Sequence, residues 1–189
     1  MYASIFALPV PFKAVQLLFI NLVTDSLPAL AIGMEPGAKD ILDRKPRDPK
    51  AGFMDQPFIQ KFSLQGALIA IGVIFAYQMG LQTNPNVACT MAFSTLTLAR
   101  LFHGFNCRNE HSIFRLGFKR NWYSLYAFLL GVCLLSLILF VPSLHNLFSV
   151  TPLTMQQIVS IGGLAILPTI IIQLGKIIRE QSKRQINQC

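Results

Sequence analysis

Residues 14–33 read AVQLLFINLVTDSLPALAIG, a mostly apolar stretch that is interrupted near its middle by Asn21, Thr24 and Asp25. About 20 predominantly apolar residues are what an α-helix needs to cross a bilayer. Four further apolar stretches lie near 62–81, 88–106, 122–141 and 155–178, and residues 1–8 form a shorter apolar stub. The sequence therefore predicts an all-α integral membrane bundle of five transmembrane helices preceded by a stub.

The composition excludes an ordinary soluble domain. Hydrophobic residues make up 53% of the chain and charged residues only 13%, whereas about 25% is usual for the charged fraction of a soluble protein. The four cysteines, Cys89, Cys107, Cys133 and Cys189, are scattered without a C-x-x-C pair. Their spacing indicates neither a zinc site nor a disulfide framework.

The basic residues predict how the bundle is oriented. Of the 16 Lys and Arg residues, six lie in 39–61, four in 108–120 and four in 176–184, whereas the loops 82–87 and 142–154 have none. Because Lys and Arg accumulate in cytoplasmic loops, we expect these basic segments and the carboxy terminus to face the cytoplasm. The alternative, a basic patch for nucleic acid, is disfavoured because every basic cluster abuts a predicted span, beside the lipid headgroups.

The polar group of the first span is a candidate cation site. Asn21, Thr24 and Asp25 are spaced i, i+3 and i+4, so they share one face of an α-helix. An acid near mid-membrane costs about 2.5–3.5 kcal/mol, and Asp25 must therefore be paired, protonated or bound to a cation. Pro28 lacks an N–H and frees the carbonyl of Thr24. These oxygens suit a hard cation such as Ca²⁺; the alternative is an Asp25 paired with a basic residue of a neighbouring helix, with Pro28 giving a simple kink.

Three segments carry a resemblance to P-type calcium ATPases, close to the sarco/endoplasmic-reticulum type. Residues 15–33 resemble the sixth transmembrane helix of that family, and DILDRKPRDP at 40–49 resembles its next cytoplasmic loop. TMAFSTL at 90–96, with the segment 101–108, resembles the eighth helix of bacterial members. The resemblance covers essentially all of residues 1–189. It implies the carboxy-terminal transmembrane half of a pump, from the end of the fifth helix to the tenth, so we expect the protein to extend upstream.

The resemblance also implies roles for individual residues. Asn21, Thr24 and Asp25 match the family's sixth-helix calcium ligands, with Asp25 exchanging between Ca²⁺ and protons. The loop from Glu35 to Phe58 would contact the phosphorylation domain.

Arg100 is a departure from the family pattern. Eukaryotic members carry a carboxylate or an amide at this place in the eighth helix, which the resemblance puts opposite Asp25. A guanidinium stays protonated and cannot ligate Ca²⁺. Arg100 is therefore expected either to form an internal salt bridge with Asp25 or, in addition, to exclude a second Ca²⁺. His103 shares a helix face with Arg100 and could relay protons, or could be a hydrogen-bonded interfacial histidine.

The function implied by the resemblance is an ATP-driven Ca²⁺ pump, a translocase of the bacterial cytoplasmic membrane. Mg²⁺ and ATP would act only in domains absent from this sequence, which has no Asp-Lys-Thr-Gly motif, so the chain alone is expected to be inactive. The expected partners are the rest of the same pump and the lipid bilayer, without nucleic acid. Two alternatives remain: a passive membrane module (channel, transporter fragment or scaffold) with a structural Asp–Arg pair, or a pump for Na⁺, K⁺ or Mn²⁺.

Overall fold

The computed structural model describes residues 2–34, 56–107 and 122–186, and within these ranges every regular element is a helix. The predicted all-α fold is confirmed. In chain order the elements are α1 (Tyr2–Ile5), α2 (Ala14–Phe19), a π-helical turn (Ile20–Asp25), α3 (Ser26–Gly33), α4 (Gln56–Leu81), α5 (Pro85–Cys107), α6 (Trp122–Phe140), α7 (Pro142–Phe148) and α8 (Met155–Ile186). The helix α2, the π turn and α3 follow one another without a gap, and we call them together the first membrane helix.

Four helices of the described ranges are long and apolar enough to cross a membrane. They comprise Ala14–Gly33, Phe58–Leu81, Trp122–Phe140 and Met155–Ile178, and these four predicted spans are confirmed by length and composition. The helix α5 is not among them because its many polar side chains lower its hydropathy. Its 23 residues are about 34 Å long at 1.5 Å per residue, which is enough for a hydrocarbon core of about 30 Å. The fifth span therefore stays a prediction.

Three helices extend beyond their predicted bounds, and α5 begins at Pro85, three residues before the expected start at residue 88. The helix α4 begins at Gln56, six residues before the expected start, and α8 continues to Ile186, past the expected end at residue 178. The apolar stub forms only the short helix α1. Predictions for the loop 35–55, the basic segment 108–120 and Cys189 lie outside the described residues.

Local sequence explains where α5 and α8 begin. The side-chain oxygen of Asn84 accepts hydrogen bonds from the backbone N–H groups of Asn86 (2.8 Å) and Val87 (3.0 Å), and Pro85 occupies the first helical position. This is the usual chemistry of a helix N-terminus. Thr154 and Gln157 form a reciprocal capping box before α8.

The helix α5 lies at the centre of the bundle, in contact with the first membrane helix and with α4, α6 and α8. Its residues Met91, Ala92 and Phe93 are fully buried. Ile20 and Leu135 belong to one hydrophobic cluster with Phe93. The first membrane helix, α4, α6 and α8 therefore surround α5, and α5 positions the polar residues described below.

At the end of the bundle where α5 begins, buried polar contacts tie three elements together. The fully buried Gln16 donates through Nε2 to the carbonyl of Phe148 at 3.0 Å, and its Oε1 accepts a hydrogen bond from the Cys89 thiol at 3.3 Å. The backbone N–H of Thr151 donates to Thr90 Oγ1 at 3.0 Å. These contacts fix the first membrane helix and α7 to α5.

Candidate cation site

The first membrane helix loses its regular α-helical geometry at its polar residues. Residues Ile20–Asp25 form a π-helical turn, and α-helix resumes at Ser26. Pro28 follows in the first turn of the resumed helix and has no N–H to offer to the carbonyl of Thr24. The sequence predicted an irregularity here, and the structure shows it as a wide turn placed just before the proline. Single π turns inside α-helices are frequent at functional sites.

Thr24 is buried in this turn, with 3% of its surface exposed. Its hydroxyl donates a hydrogen bond to the carbonyl of Ile20 at 2.6 Å. The proton of the hydroxyl is thereby engaged within the helix. Because a hydroxyl oxygen also has two lone pairs, Thr24 Oγ1 can still accept a hydrogen bond or ligate a cation.

Asp25 forms an ion pair across the helix interface. Its Oδ1 lies 2.9 Å from Nη2 of Arg100 on α5, with 48% of the Asp25 side chain and 36% of the Arg100 side chain exposed. The predicted pairing of Asp25 with Arg100 is confirmed. Within this chain the pair is half-buried.

The pair lines a cleft of about 550 Å³ between the first membrane helix, α4 and α5. Four polar side chains reach it: Thr24, Asp25, Arg100 and His103. Its apolar wall includes Phe62, Gly66, Ile69 and Leu96. The cleft is large enough for a cation with several water molecules, and among the described residues that line it Asp25 is the one acid.

Asn21 is placed differently from the other two predicted ligands. Thr24 and Asp25 line the cleft, whereas Asn21 is exposed and is not among the lining residues. A π turn takes more residues per turn than an α turn, so residues three or four apart no longer keep the angular positions of an α-helix. Within the described ranges no cluster of three or more His, Cys, Asp or Glu side chains is present. The cleft thus offers part of an oxygen shell for Ca²⁺, which takes about six to eight ligands.

The Pro28 ring of the first membrane helix packs closely against Gly104 of α5, on the two sides of the cleft. A Cβ added to Gly104 of α5 would lie 3.2 Å from Cβ of Pro28. A larger side chain at residue 104 would push the helices apart close to the ion pair. Sequence reasoning missed this contact, because a single glycine in a helix gives no signal of what it meets.

A second polar cluster lies at the carboxy-terminal end of α5. The buried Lys176 of α8 donates through Nζ to the backbone carbonyl of Asn106 at 2.7 Å, and Gln173 Nε2 donates to Asn106 Oδ1. A cation beside the last carbonyls of a helix is favourable because the helix dipole is negative there. The sequence indicates Lys176 only as one of the basic residues that set the topology, because its position in the sequence does not reveal its burial against α5.

Comparison with known proteins gives a family model and several relatives. The model for the carboxy-terminal region of cation-transporting ATPases matches residues 9–178. The chain is 35% identical over 175 residues to a calcium-transporting ATPase of Bacillus subtilis, covering 91% of the chain and 20% of that protein.

Two further bacterial relatives are similar to a comparable degree. Calcium-transporting ATPase 1 of Lactococcus lactis is 38% identical over 183 residues (94% of the chain, 21% of the relative). The calcium-transporting ATPase lmo0841 of Listeria monocytogenes is 36% identical over 173 residues (90% and 20%). The chain thus spans about a fifth of the length of these relatives.

Proposed function

The chain belongs to the P-type cation-transporting ATPases as their carboxy-terminal membrane region, and on that premise we propose that it is the ion-binding part of an ATP-driven Ca²⁺ pump. The observation that carries the proposal is the placement of Asp25. It is the one acid in the segments 14–33, 56–107 and 122–178, and it lies in a π turn that lines a cleft. An ionisable side chain inside a membrane span is by default functional.

Asp25 is the central acceptor for the cation in this proposal. Its carboxylate supplies the negative charge, and Thr24 adds a hydroxyl oxygen from the same wall of the cleft. Asn21 adds its amide oxygen from the exposed side of the π turn, and the remaining ligands come from parts of the pump outside this chain. Asp25 binds Ca²⁺ as a carboxylate.

Arg100 sets the charge of the site. When no ion is bound, its guanidinium compensates the Asp25 carboxylate at 2.9 Å. When Ca²⁺ is bound, a fixed positive charge so close to the site repels a second divalent cation. The pump therefore moves one Ca²⁺ per cycle.

The energy for transport comes from domains outside this chain. Moving one Ca²⁺ against about 100 mV and a 10⁴-fold gradient costs about 10 kcal/mol, at about 2.3 kcal/mol per charge and about 1.4 kcal/mol per decade. A passive bundle cannot supply that free energy. ATP and Mg²⁺ act in the missing domains, and this chain alone is inactive. The segment from Glu35 to Phe58 links the first membrane helix to α4 and contacts the phosphorylation domain.

The pump lies in the bacterial cytoplasmic membrane with its carboxy terminus in the cytoplasm. The basic residues in 39–61, 108–120 and 176–184 support this orientation. In the bundle, Cys107 at the end of α5 lies within electrostatic range of both Lys61 and Lys176. The start of α4 and the basic end of α8 thus share one end of the bundle with the last residue of α5.

The function is tested in the complete pump by measuring phosphorylation by ATP as a function of Ca²⁺. We expect Asp25→Asn to abolish the Ca²⁺ dependence, because the amide keeps the shape of the side chain and removes its charge. Ser136→Ala on α6, outside the cleft, is the control and should keep the wild-type Ca²⁺ response. Full Ca²⁺ dependence at normal affinity in Asp25→Asn would contradict the assignment. Measuring phosphorylation of the wild-type pump as a function of Na⁺, K⁺ or Mn²⁺ shows whether the pump prefers one of these ions.

The same samples give the stoichiometry when occluded ⁴⁵Ca²⁺ is counted per phosphoenzyme. We expect a ratio near one, and a ratio near two would eliminate the proposal of a single ion. If the ratio of one persists in Arg100→Ala, Arg100 is not its cause.

The competing function is a passive membrane module in which the Asp25–Arg100 pair only holds the helices together. The observed ion pair is the observation that supports this alternative. If the pair is only structural, Asp25→Asn combined with Arg100→Gln would leave every Ca²⁺-dependent step intact in the molecules that still assemble, because neither side chain would bind the ion. For the proposed pump, the double variant loses Ca²⁺ dependence.

A further inference from the structure

Gly104 of α5 lies where the first membrane helix comes nearest to α5, one helical turn after Arg100. A Cβ added to Gly104 would lie 3.2 Å from Cβ of Pro28 and 3.5 Å from its Cγ. Glycine weakens the interior of a helix relative to alanine, because it loses more backbone freedom on folding. A glycine at this place in α5 is explained by the proline ring that it admits.

This contact joins the same two helices as the ion pair. Pro28 follows Asp25 by three residues, and Gly104 follows Arg100 by four, so each helix presents both of its residues on one side. All four residues line the same cleft. Four residues of α-helix extend about 6 Å at 1.5 Å per residue. The glycine contact is therefore close enough to the ion pair to control its width.

The helix α5 is held from behind and has little room to retreat. It also packs against α4, α6 and α8. On the side of α6, Leu101 is only 2% exposed, and a Cβ added to Gly131 would lie 2.6 Å from its Cδ2. A larger side chain at residue 104 therefore displaces Pro28 rather than α5, and the displacement carries Asp25 away from its partner. The contact thus sets the 2.9 Å width of the ion pair.

We propose that Gly104 is a positioning residue that sets the Ca²⁺ affinity of the pump, because it fixes how closely Arg100 approaches Asp25. The inference rests on the proposed function, in which the Asp25 carboxylate binds Ca²⁺. Arg100 and Ca²⁺ compete for that carboxylate, and the attraction between opposite charges falls as their distance grows. A wider spacing at residue 104 weakens the competing guanidinium and so strengthens ion binding. A general loss of packing has no such effect.

The test measures, in the complete pump, the Ca²⁺ concentration that gives half-maximal phosphorylation by ATP. Opening the ion pair to about 4 Å, at an effective dielectric constant of about 20 and with screening by solvent, corresponds to roughly a three- to tenfold change in affinity. We expect Gly104→Val to lower the half-maximal concentration by this factor. Gly33→Val on α3 is the matched control, because nothing lies within 4 Å of its added Cβ, and it should keep the wild-type value.

A double-variant cycle separates positioning from structural support. Arg100→Gln removes the competing charge and should itself lower the half-maximal Ca²⁺ concentration. In that background Gly104→Val should give no further shift, because both changes act through the same ion pair. Gly80→Ala reports the effect of lost packing alone, since its added Cβ meets the backbone of α5 outside the cleft. It should not lower the half-maximal concentration.

Three results would overturn the positioning role. They are an unchanged or raised half-maximal Ca²⁺ concentration in Gly104→Val, an equal shift with and without Arg100, and an equal shift in Gly80→Ala. If Gly104→Val fails to assemble, Gly104→Ala is judged by the same criteria, with an expected shift of about twofold because the added group is smaller. If Asp25→Asn keeps full Ca²⁺ dependence, the proposed function fails instead, so the two failures are distinguishable.

Discussion

The helices α5 and α6 show how this bundle reverses the pattern of a soluble protein. The helix α6 is strongly apolar, with a mean hydropathy of 2.3, yet Tyr126, Leu129 and Phe140 are largely exposed on its surface. The helix α5 is too polar to meet the same hydropathy criterion, and its Thr90, Ser94, Thr95 and Thr97 are fully buried. In a bilayer the surroundings are as apolar as Leu, so small and polar residues mark the interior.

Two of the buried hydroxyls of α5, those of Ser94 and Thr97, serve close packing rather than bonds between helices. Ser94 and Thr97 donate to their own helix, as Ser136 does on α6 at 2.8 Å. What distinguishes α5 is how near its neighbours come: a Cβ added to Gly80 of α4 would lie 2.4 Å from Cα of Ala88. Small side chains permit such an approach, and the dispersion contacts it creates hold membrane helices together.

The largest effect is expected from blocking this approach. Gly80→Ala should destabilise the complete pump by about 3 kcal/mol or more, because the obstructing atom belongs to the backbone of α5 and cannot rotate away. Gly66→Ala, on the same helix with nothing within 4 Å of the added Cβ, is the control. Thermal unfolding in detergent measures both. Equal melting temperatures for the two variants would contradict the conclusion that close contact with α5 stabilises the bundle.

An intermediate effect is expected from deleting the same side chain on each helix. Phe93 of α5 is fully buried, whereas Phe140 of α6 is 65% exposed. Phe93→Ala should lower the stability of the pump by about 2 kcal/mol more than Phe140→Ala does, because only the first leaves a cavity. The estimate is below that for a soluble core because an unfolded chain in the bilayer keeps Phe in apolar surroundings. Denaturation in mixed micelles gives the difference, and a larger loss for Phe140→Ala would reverse the assignment of inside and outside.

The smallest effect concerns the hydroxyls. Thr97→Val and Ser136→Ala each remove one bond to the helix's own backbone and should differ from each other by less than about 0.5 kcal/mol, although only Thr97 is buried. The measurement is again unfolding of the complete pump. A loss of stability confined to Thr97→Val would show that this hydroxyl has a partner on another helix. The polar residues of α5 would then stabilise the bundle through hydrogen bonds between helices.

Much of the candidate site could be predicted from residue types. An acid in an apolar segment needs a partner or an ion, so Asp25 identified the site, and the proline four residues after Thr24 indicated irregular helix there. The pairing with Arg100 followed from the family resemblance and is present at 2.9 Å. The position of Asn21 could not be predicted, because helical spacing assumes α geometry and the π turn changes it.

By itself the sequence determined the apolar segments and the acid around which a cation site can form, and its basic residues predict an orientation in the membrane. These are local properties, since the cost of placing a charge or an apolar segment in a bilayer depends on that segment alone. Only the tertiary structure decided that α5 lies at the centre and that Lys176 is buried against Asn106. It also placed His103 in the same cleft as Asp25, whereas Asn21 is not among the residues that line it. Burial and proximity depend on which helices come close together, and that depends on small residues such as Gly80 and Gly104, whose contacts no segment reveals on its own.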